Sequence, residues 1–407
     1  MADPLPIPTG IELTSLDRRF REDPYPVLAT LRAHDPVHRD EVFGRYVLTR
    51  HDDVVAILRN RELWSDPRKG NPGSFAYEVL KESDEEPSML LMDDPGHRRL
   101  RDLVKRSFTP RAIERWRGRV REVAVRVIGA LDEGEFDLIE EVAGPIPTVV
   151  IAEILGVDPG MHESFKQWSD ASILVAFSPV KTPAAVAAAE QAGSALDAFF
   201  RTEIEARRSK PENDLISELV LAETPGDGLS ETEIVSMCNL LLLAGNLTTT
   251  DLIGNGVKAL LDHPGELAKL RERPDLMPSA VEELLRYDSA VVSSGRIAHR
   301  DQEIGGVKIS EGETMDVMLA AANRDPSVYP DPDRFDIERE DTHHQAFGGG
   351  RHICLGAHLA RLEAQETLAA LLSRFSSIGP GQRGYEYASN PGFRGFEQLW
   401  VSAERSS

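Results

Sequence analysis

One cysteine lies in a segment whose backbone has few structures open to it. The run FGGGRHICLGAHLARLE, residues 347–363, places Cys354 between three glycines and Gly356. Glycines at this density let a chain turn tightly and approach another group closely. Backbone N–H groups of such a loop and the start of a following helix stabilise an anion, so we expect the thiol to ionise readily. A lone thiolate in this setting suits an iron atom with one protein ligand.

Two other readings of Cys354 stay open from the residues alone. Free cysteine is most often an ordinary buried side chain, but a buried thiol has no use for flanking glycines or for the adjacent Arg351 and His352. A nucleophilic cysteine would need a histidine base, and His352 is awkwardly placed two residues away on the same tight loop.

Composition limits the kinds of protein that the chain can form. Of its 407 residues, 41% are apolar, which is enough for a large core. Cys238 and Cys354 are the only cysteines, so a disulfide framework or a four-thiolate site is excluded. The start of the chain is polar and proline-rich, and no apolar run reaches the ~18–20 residues that cross a membrane. We therefore expect a cytoplasmic protein with one domain over residues 1–407, of which about 1–20 form an N-terminal extension.

Charge is distributed unevenly along the chain. The net charge of −22 argues against nucleic acid or an anionic membrane as partner. Between Arg98 and Arg121, however, ten basic residues face only Asp102 and Glu114. The basic residues are Arg98, Arg99, Arg101, Lys105, Arg106, Arg111, Arg115, Arg117, Arg119 and Arg121. This basic patch predicts a docking site for an acidic partner, although a solvated helix face would have the same pattern.

Local patterns predict a mainly α fold with a small β region. Residues 96–287 are mostly helical in pattern, and the proline-free stretch from Ser230 to His263 predicts one helix of about 33 residues. Strand-like pieces and proline-rich loops dominate after residue 290 until the helix that follows Cys354. Shorter predicted pieces are a strand at 45–50, a helix at 52–60 and a long loop at 65–92.

The cysteine segment resembles the haem-thiolate loop of cytochrome P450 monooxygenases. Phe347, Gly350, His352, Cys354 and Gly356 fall at the family's spacing. The resemblance covers about residues 20–402 and implies the cytochrome P450 fold of a soluble bacterial-type enzyme, with a long central helix crossing the haem. It implies that Cys354 ligates the iron of haem b (iron protoporphyrin IX) from the proximal side, while the phenylalanine packs against the sulfur and the glycines free N–H groups to bond it.

The predicted long helix carries AGNLTTTD, residues 244–251. Ala244 and Gly245 leave one face without bulky side chains, and Thr248 lies one turn later on that face. A threonine bonded to its own helix is the alternative. The resemblance implies that Ala244 and Gly245 make room for oxygen and substrate and that Thr248 is a catalytic residue in oxygen activation.

One position departs from the family pattern. Leu247 stands where the family usually has an aspartate or glutamate that relays protons. Asp251 lies one turn further along the same face. We expect Asp251, or water ordered by Asn246 and Thr248, to take over the relay.

A second helix holds Glu283 and Arg286 at i, i+3, which on a surface would contribute little. The resemblance implies instead a buried network with the later segment 323–335 that supports the haem face. It also implies four residues that hold the haem propionates, for which arginine is suited by its planar fork. These residues are His97, Arg101, Arg296 and His352.

The resemblance further implies a substrate pocket drawn from several segments. Its members would be Leu240, Leu243, Val291, Val292, Phe393, the loop at 65–92 and the helix around Ser172–Phe177, with Ser293 and Ser294 as polar anchors. Any of these side chains could equally belong to the core.

The predicted reaction inserts one oxygen atom of O2 into an apolar small organic substrate. Electrons would come from a separate ferredoxin and its reductase, with the ferredoxin docking on the basic patch. A peroxide-driven peroxygenase, which Leu247 favours and Thr248 disfavours, is one alternative. A non-catalytic haem-binding protein is the other.

Overall fold

The computed structural model describes residues 7–81, 87–222, 229–340 and 342–405, and helices predominate in these ranges. The helices are α1 (Arg18–Glu22), α2 (Tyr25–His34), α3 (His51–Arg59), α4 (Gly96–Val104), α5 (Pro110–Glu114), α6 (Arg117–Gly129), α7 (Pro145–Leu155), α8 (His162–Ala176), α9 (Pro183–Ser209), α10 (Leu215–Leu221), α11 (Glu231–Asp262), α12 (Pro264–Glu272), α13 (Met277–Tyr287), α14 (Leu319–Ala322) and α15 (Ala357–Arg374). The strands are β1 (Val37–Asp40), β2 (Arg45–Leu48), β3 (Gly134–Asp137), β4 (Ser293–Ile297), β5 (Gln302–Ile304), β6 (Val307–Ile309), β7 (Thr314–Met318), β8 (Phe375–Tyr387) and β9 (Phe396–Arg405). The predicted fold class is confirmed.

Helix α11 is the long helix predicted from the sequence. Its first turn is closed by a capping box, in which the Glu233 N–H donates to the Ser230 hydroxyl (3.2 Å) and the Ser230 N–H donates to the Glu233 carboxylate (2.8 Å). Its end at Asp262 falls just before Pro264, which starts α12. Helices α7, α9 and α15 pack around it, so α11 runs through the main core.

The strands form three small sheets. One has the order β1-β2-β7-β4, with β2 and β7 parallel and the other pairs antiparallel, and it places Arg296 opposite Met315. The others are β3-β9-β8 and the hairpin β5-β6. Strand β3 interrupts the region predicted to be mostly helical. It forms because Gly134 pairs with Ala403 near the end of the chain, a contact that local sequence does not reveal.

Two other segments have more local structure or more buried contacts than the sequence predicted. The predicted loop at 65–92 contains a 3-10 turn at Pro67–Lys69 and a π-helical turn at Ala76–Leu80, and residues 82–86 of it lie outside the described ranges. In the predicted N-terminal extension, Leu13 and Phe20 are buried in a core cluster, and the Thr9 hydroxyl donates to Asp40 at 2.6 Å. Among the described residues, no helix is both long enough and apolar enough to cross a bilayer.

Candidate functional site

The Cys354 loop is held by its backbone and by α3. The Cys354 N–H donates to the Phe347 carbonyl oxygen at 2.9 Å, which closes the loop. Gly350 has a φ of 67°, and a Cβ there would collide with the carbonyl oxygen of Leu58 near the end of α3. Glycine at this position is therefore required both by the left-handed backbone and by the close approach of α3.

Cys354 is exposed to solvent, but protein packs closely around its loop and displaces much of the nearby water. This loss of surrounding water raises the pKa of the thiol, while the Gly356 N–H and the charges of Arg101 and Arg361 act to lower it. The expectation that the polypeptide alone ionises the thiol readily is thus wrong, since desolvation is the largest effect. A bound metal ion deprotonates a coordinating thiol outright.

Phe347 is fixed beside the loop by a stacked guanidinium. The charge centre of Arg361 lies 4.5 Å from the centre of the Phe347 ring. Glu282 holds Arg361 in place through two hydrogen bonds of 2.6 and 2.9 Å. The ring therefore has a defined position near the cysteine loop rather than a free one.

Five basic side chains gather beside Cys354, and we call them the cation cluster. They are His97, Arg101, Arg296, Arg351 and His352. The rings of His97 and His352 have centroids 4.1 Å apart, and Arg101 donates to the carbonyl oxygen of Ile353 at 2.6 Å. The four residues predicted to hold propionates are therefore neighbours in space, although they come from α4, β4 and the cysteine loop.

The cation cluster has more positive charge than nearby carboxylates can balance. Arg296 is only 5% exposed, and its bonds within the described ranges go to the Ser294 hydroxyl (3.1 Å) and the Gly295 carbonyl (2.7 Å). Burial and the neighbouring Arg351 lower the pKa of Arg296 to about 10. Burial and the neighbouring Arg296, His97, Arg351 and Arg101 lower the pKa of His352 to about 2. Such a site favours a dianionic group, which fits the two propionates of a haem.

Three residues of this site, Arg351, Asp93 and Ser65, were not among the predicted propionate ligands. Arg351 bonds to the Leu63 carbonyl and to Asp93 (3.0 Å). The Ser65 hydroxyl lies 3.1 Å from Nε2 of His352, and the Ser65 N–H donates to Asp93 at 2.8 Å. Arg351 could have been predicted from its position next to His352. Ser65 lies in the predicted loop, where no sequence motif marks it.

The exposed face of α11 carries part of the predicted oxygen site. Ala244 is exposed, and Leu247 and Thr248 are partly exposed. The Thr248 hydroxyl donates to the Ala244 carbonyl at 2.9 Å, which is the bond of a threonine to its own helix. Gly245 faces α7, because a Cβ at this position would lie 3.0 Å from Cγ1 of Ile151 on that helix. The glycine serves the packing of two helices.

Asn246 lies on the opposite side of α11 from the predicted relay. It is buried, and the Thr250 hydroxyl lies 3.1 Å from its carbonyl and 3.1 Å from that of Ala143. Asn246 and Thr248 point about 160° apart, because they are two positions apart on the helix, and a water ordered by both stays a prediction.

Asp251 is a buried carboxyl group in an acidic setting. It is 5% exposed and packs so closely against Gly395 that a Cβ there would collide with its carboxyl group. Burial and the charges of Asp170 and Asp288 raise the pKa of Asp251 to about 8. At neutral pH the group is therefore mostly a neutral acid that can donate a proton.

Glu283 and Arg286 form a fully buried pair. Their side chains are bonded twice, at 2.7 and 2.8 Å. Arg286 also donates to the carbonyl oxygens of Asn323 and Pro332, and Glu283 accepts from the Asp336 N–H at 2.9 Å. The pair thus fastens α13 to segment 323–336.

The predicted pocket residues divide between two surroundings. Val291 forms an isolated bridge with Phe393, whose ring packs edge-on against Phe177 at 5.6 Å. Leu240 and Leu243 are partly buried along α11. Val292 differs from them, because it is 5% exposed and packs in the core cluster of Leu13 and Phe20, and its pocket role stays a prediction.

The basic patch lies on α4, α5 and α6, and ion pairs occupy about half of it. The paired members are Arg99 with Glu233, Lys105 with Asp102, Arg117 with Glu114 and Glu366, Arg119 with Glu122 and Glu153, and Arg121 with Glu366. Arg98, Arg106, Arg111 and Arg115 are exposed and form no ion pair within the described ranges. Arg98 lies near the charge of Asp102, so Arg106, Arg111 and Arg115 are the freer positive charges.

Comparison with known proteins identifies the class. Residues 160–385 match the family model described as Cytochrome P450. A putative cytochrome P450, YjiB of Bacillus subtilis (strain 168), is 40% identical over 86% of this chain and 87% of its own length. The biotin biosynthesis cytochrome P450 of the same organism is 37% identical over 97% and 100%. The cytochrome P450 monooxygenase PikC of Streptomyces venezuelae is 38% identical over 98% and 95%.

Solved structures agree with these relatives. P450BioI in complex with an acyl carrier protein carrying hexadec-9Z-enoic acid superposes with a TM-score of 0.86 at 34% identity, covering 95% of this chain and 100% of that one. The myxobacterial CYP267B1 in complex with myristic acid gives 0.88 at 38% identity, covering 95% and 98%. The chain belongs to the cytochrome P450 family. It is a P450 monooxygenase whose cofactor is haem b and whose reaction oxygenates small organic substrates.

Proposed function

We propose that Cys354 is the iron ligand and that the cation cluster holds the two propionates of haem b. The observation that carries this proposal is the buried, unbalanced charge next to the thiol, above all Arg296, which lacks a carboxylate partner in the described ranges. When bound, haem b activates O2 and supplies the oxidising chemistry. The protein places the substrate, excludes water and delivers protons.

The exposed face of α11 has two roles in this proposal. Ala244 keeps the face open because its side chain is short. The Thr248 hydroxyl bonds to the Ala244 carbonyl at 2.9 Å and can donate outward instead by rotation about χ1. Asp251, a buried neutral acid one turn along α11 from Leu247, donates protons in place of the acid missing at Leu247.

The substrate in this proposal is an apolar organic molecule. Its support is the apolar character of the residues predicted for the pocket, among them Leu240, Leu243, Val291 and Phe393, together with the contact of Phe393 with Phe177. Solved relatives were captured with a fatty acyl chain on an acyl carrier protein, with myristic acid and with erythromycin B. A ligand screen read as a low- to high-spin shift would sort these classes.

Electrons in this proposal come from a separate ferredoxin that docks on the basic patch. The support is the contrast between a chain of net charge −22 and the three exposed arginines Arg106, Arg111 and Arg115. Cytoplasmic location and a single domain stay predictions.

Leu247 favours a second candidate, a peroxide-driven peroxygenase, because that reaction needs fewer protons delivered to the oxygen side. The retained Thr248 speaks against it. Turnover supported by peroxide should be slower than turnover with ferredoxin, reductase and NAD(P)H. The reverse order would favour the peroxygenase.

The haem-thiolate proposal is tested by the absorption spectrum of the reduced, carbon-monoxide-bound protein. We expect the red-shifted Soret band of a thiolate ligand, and its loss in Cys354→His. The control is Cys238→Ser, which removes a thiol that is buried in α11. A wild-type spectrum without the red shift would overturn the proposal.

A further inference from the structure

The turn that carries Phe393 joins β8 to β9 and packs closely against two helices. A Cβ at Gly392 would lie 3.2 Å from Cβ of Phe177, which follows α8. A Cβ at Gly395 would collide with the carboxyl group of Asp251 on α11. Little space therefore separates the turn from its neighbours, and the place of the Phe393 ring depends on what fixes this turn.

Arg394 connects the turn to the N-terminal part of the chain. It is 6% exposed. Its guanidinium donates to the carbonyl oxygens of Arg21 (2.5 Å) and Glu22 (3.3 Å) at the end of α1. It also donates to the Asp288 carboxylate at 2.6 Å and to the Tyr387 hydroxyl at 3.1 Å. One side chain thus joins the turn to α1, to the residue after α13 and to β8.

The backbone of the turn is held as well. The Arg394 N–H donates to the Ala290 carbonyl oxygen at 2.7 Å, and the Arg394 carbonyl oxygen accepts from the Asn255 amide on α11 at 2.8 Å. The Ser15 hydroxyl donates to the Phe393 carbonyl oxygen at 3.3 Å. Ser15 is only 4% exposed, although it belongs to the predicted N-terminal extension. The N-terminal segment and α11 therefore hold the same two residues of the turn.

We propose that Arg394 is a positioning residue for substrate selectivity, because it fixes Phe393 and ties the turn to residues 15–22. This rests on the proposed function, in which Phe393 belongs to the substrate pocket. Arginine suits the role because its planar fork donates to several acceptors at fixed angles, whereas lysine donates from one nitrogen. Residues 15–22 thereby support the substrate site, although they lie far from Phe393 in the sequence.

Hydrogen exchange of the full-length holoenzyme tests whether Arg394 fixes the turn. Arg394→Lys should speed exchange at residues 388–395, because loss of the fork lets the turn open locally, and should leave residues 347–356 as in the wild type. Arg207→Lys is the matched control. That arginine is similarly buried, at 8% exposed, but it bonds to Asp214 at the start of α10. Unchanged exchange at residues 388–395 in Arg394→Lys, or an equal change there in Arg207→Lys, overturns the proposal.

Iron-binding probes of two sizes test whether the turn sets selectivity. Imidazole binds the iron alone, whereas 4-phenylimidazole adds a phenyl ring that extends into the substrate pocket. Phe393→Ala should weaken 4-phenylimidazole relative to imidazole. Arg394→Lys, which keeps Phe393, should also weaken it relative to imidazole, by about fourfold or more, which is the effect of one buried methylene group. Affinity for imidazole itself should stay unchanged, and Arg207→Lys should leave the ratio of the two affinities unchanged.

Ser15→Ala is a milder second variant. It removes the hydroxyl that bonds to the Phe393 carbonyl oxygen and keeps Arg394 in place. The affinity ratio should shift in the same direction as in Arg394→Lys, by a smaller factor. If Arg394→Lys does not retain haem, Ser15→Ala decides alone, and an unchanged ratio in it overturns the proposal.

The outcomes separate this proposal from the proposed function. A wild type without the red-shifted carbon-monoxide spectrum refutes the haem-thiolate assignment. An unchanged affinity ratio in Phe393→Ala refutes the pocket role of Phe393 and, with it, the positioning role of Arg394. A changed ratio in Phe393→Ala with an unchanged ratio in Arg394→Lys refutes the positioning role alone.

Discussion

The imidazole rings of His97 and His352 lie 4.1 Å apart between centroids, with their planes at 36°. One comes from α4 and the other from the loop that carries Cys354. This contact joins the two segments into one wall and places both rings among arginines. Concentrated positive charge destabilises the haem-free protein and favours the binding of an anion. Removing a charge from the cation cluster is therefore expected to stabilise the haem-free protein and to weaken haem binding.

Arg296→Met should stabilise the haem-free protein and weaken haem binding. Burial and Arg351 lower the pKa of Arg296, so removing the charge relieves a cost in the free protein. Haem affinity should fall by about 10–100-fold, since a hydrogen bond to a charged group contributes ~1.5–3 kcal/mol. Haem titration and urea unfolding of the haem-free protein measure the two effects. Arg286→Met is the control, because that buried arginine is paired, and its loss should destabilise the haem-free protein.

Gly350→Ala should destabilise the protein by about 3 kcal/mol or more. It adds the ~1–3 kcal/mol of a left-handed non-glycine residue to a clash with the Leu58 carbonyl. Gly356→Ala is the matched control, because its φ is −83° and a Cβ there meets nothing within 4 Å. Chemical unfolding of both variants measures the difference. Equal losses would mean that packing against α3 is not the reason for the glycine.

Glu283→Gln should cost about 3–5 kcal/mol, since it leaves Arg286 as a buried charge without its carboxylate. Glu282→Gln, at the neighbouring position, should cost less than Glu283→Gln, because Glu282 and its partner Arg361 are both partly exposed. Thermal unfolding of the haem-free proteins compares them. A smaller loss in Glu283→Gln than in Glu282→Gln would contradict the structural role of the buried pair.

The sequence predicted the elements with strong local signals. The capping box at Ser230 and Glu233 and the lack of proline define α11, and the glycine spacing defines the cysteine loop. Strand β3 escaped prediction because its partner is β9, far along the chain.

The same limit applies to the site. Val292 and Val291 are adjacent and equally apolar, yet one lies in the core and the other pairs with Phe393. Which neighbour covers a side chain is decided by tertiary packing, and the same is true of Gly245 against Ile151 and of Glu363 against Thr249.

Replacing the free arginines of the basic patch should weaken electron-donor binding. Arg111→Glu and Arg115→Glu together should raise the Kd for an acidic ferredoxin by about tenfold or more at low salt, since reversed charges repel the partner. The effect should shrink as salt screens the charges. Arg383→Glu on β8 reverses one charge outside the patch and is the control for each single reversal, Arg111→Glu and Arg115→Glu, measured separately. Titration calorimetry at two salt concentrations measures the effects, and equal effects of reversals inside and outside the patch would refute docking on the patch.

Asp251 should make the haem-free protein lose stability as pH rises from about 4 to about 8. In the folded state its pKa is raised to about 8 from 3.8, so the folded protein binds the extra proton throughout this window. Below it the group is neutral in both states and has no effect. Above it the full penalty applies, at ~1.4 kcal/mol per pKa unit.

Asp251→Asn should therefore match the wild type near pH 4 and become progressively more stable than it towards pH 8. Urea unfolding across this range measures the difference. Asp170→Asn removes one of the charges that raise the pKa of Asp251, so it should shift the window towards lower pH while leaving its form intact. A constant difference between Asp251→Asn and the wild type at every pH would mean that the carboxyl group is already ionised in the folded protein. In that case Asp251 could not donate the proton that the missing acid at Leu247 leaves to be supplied.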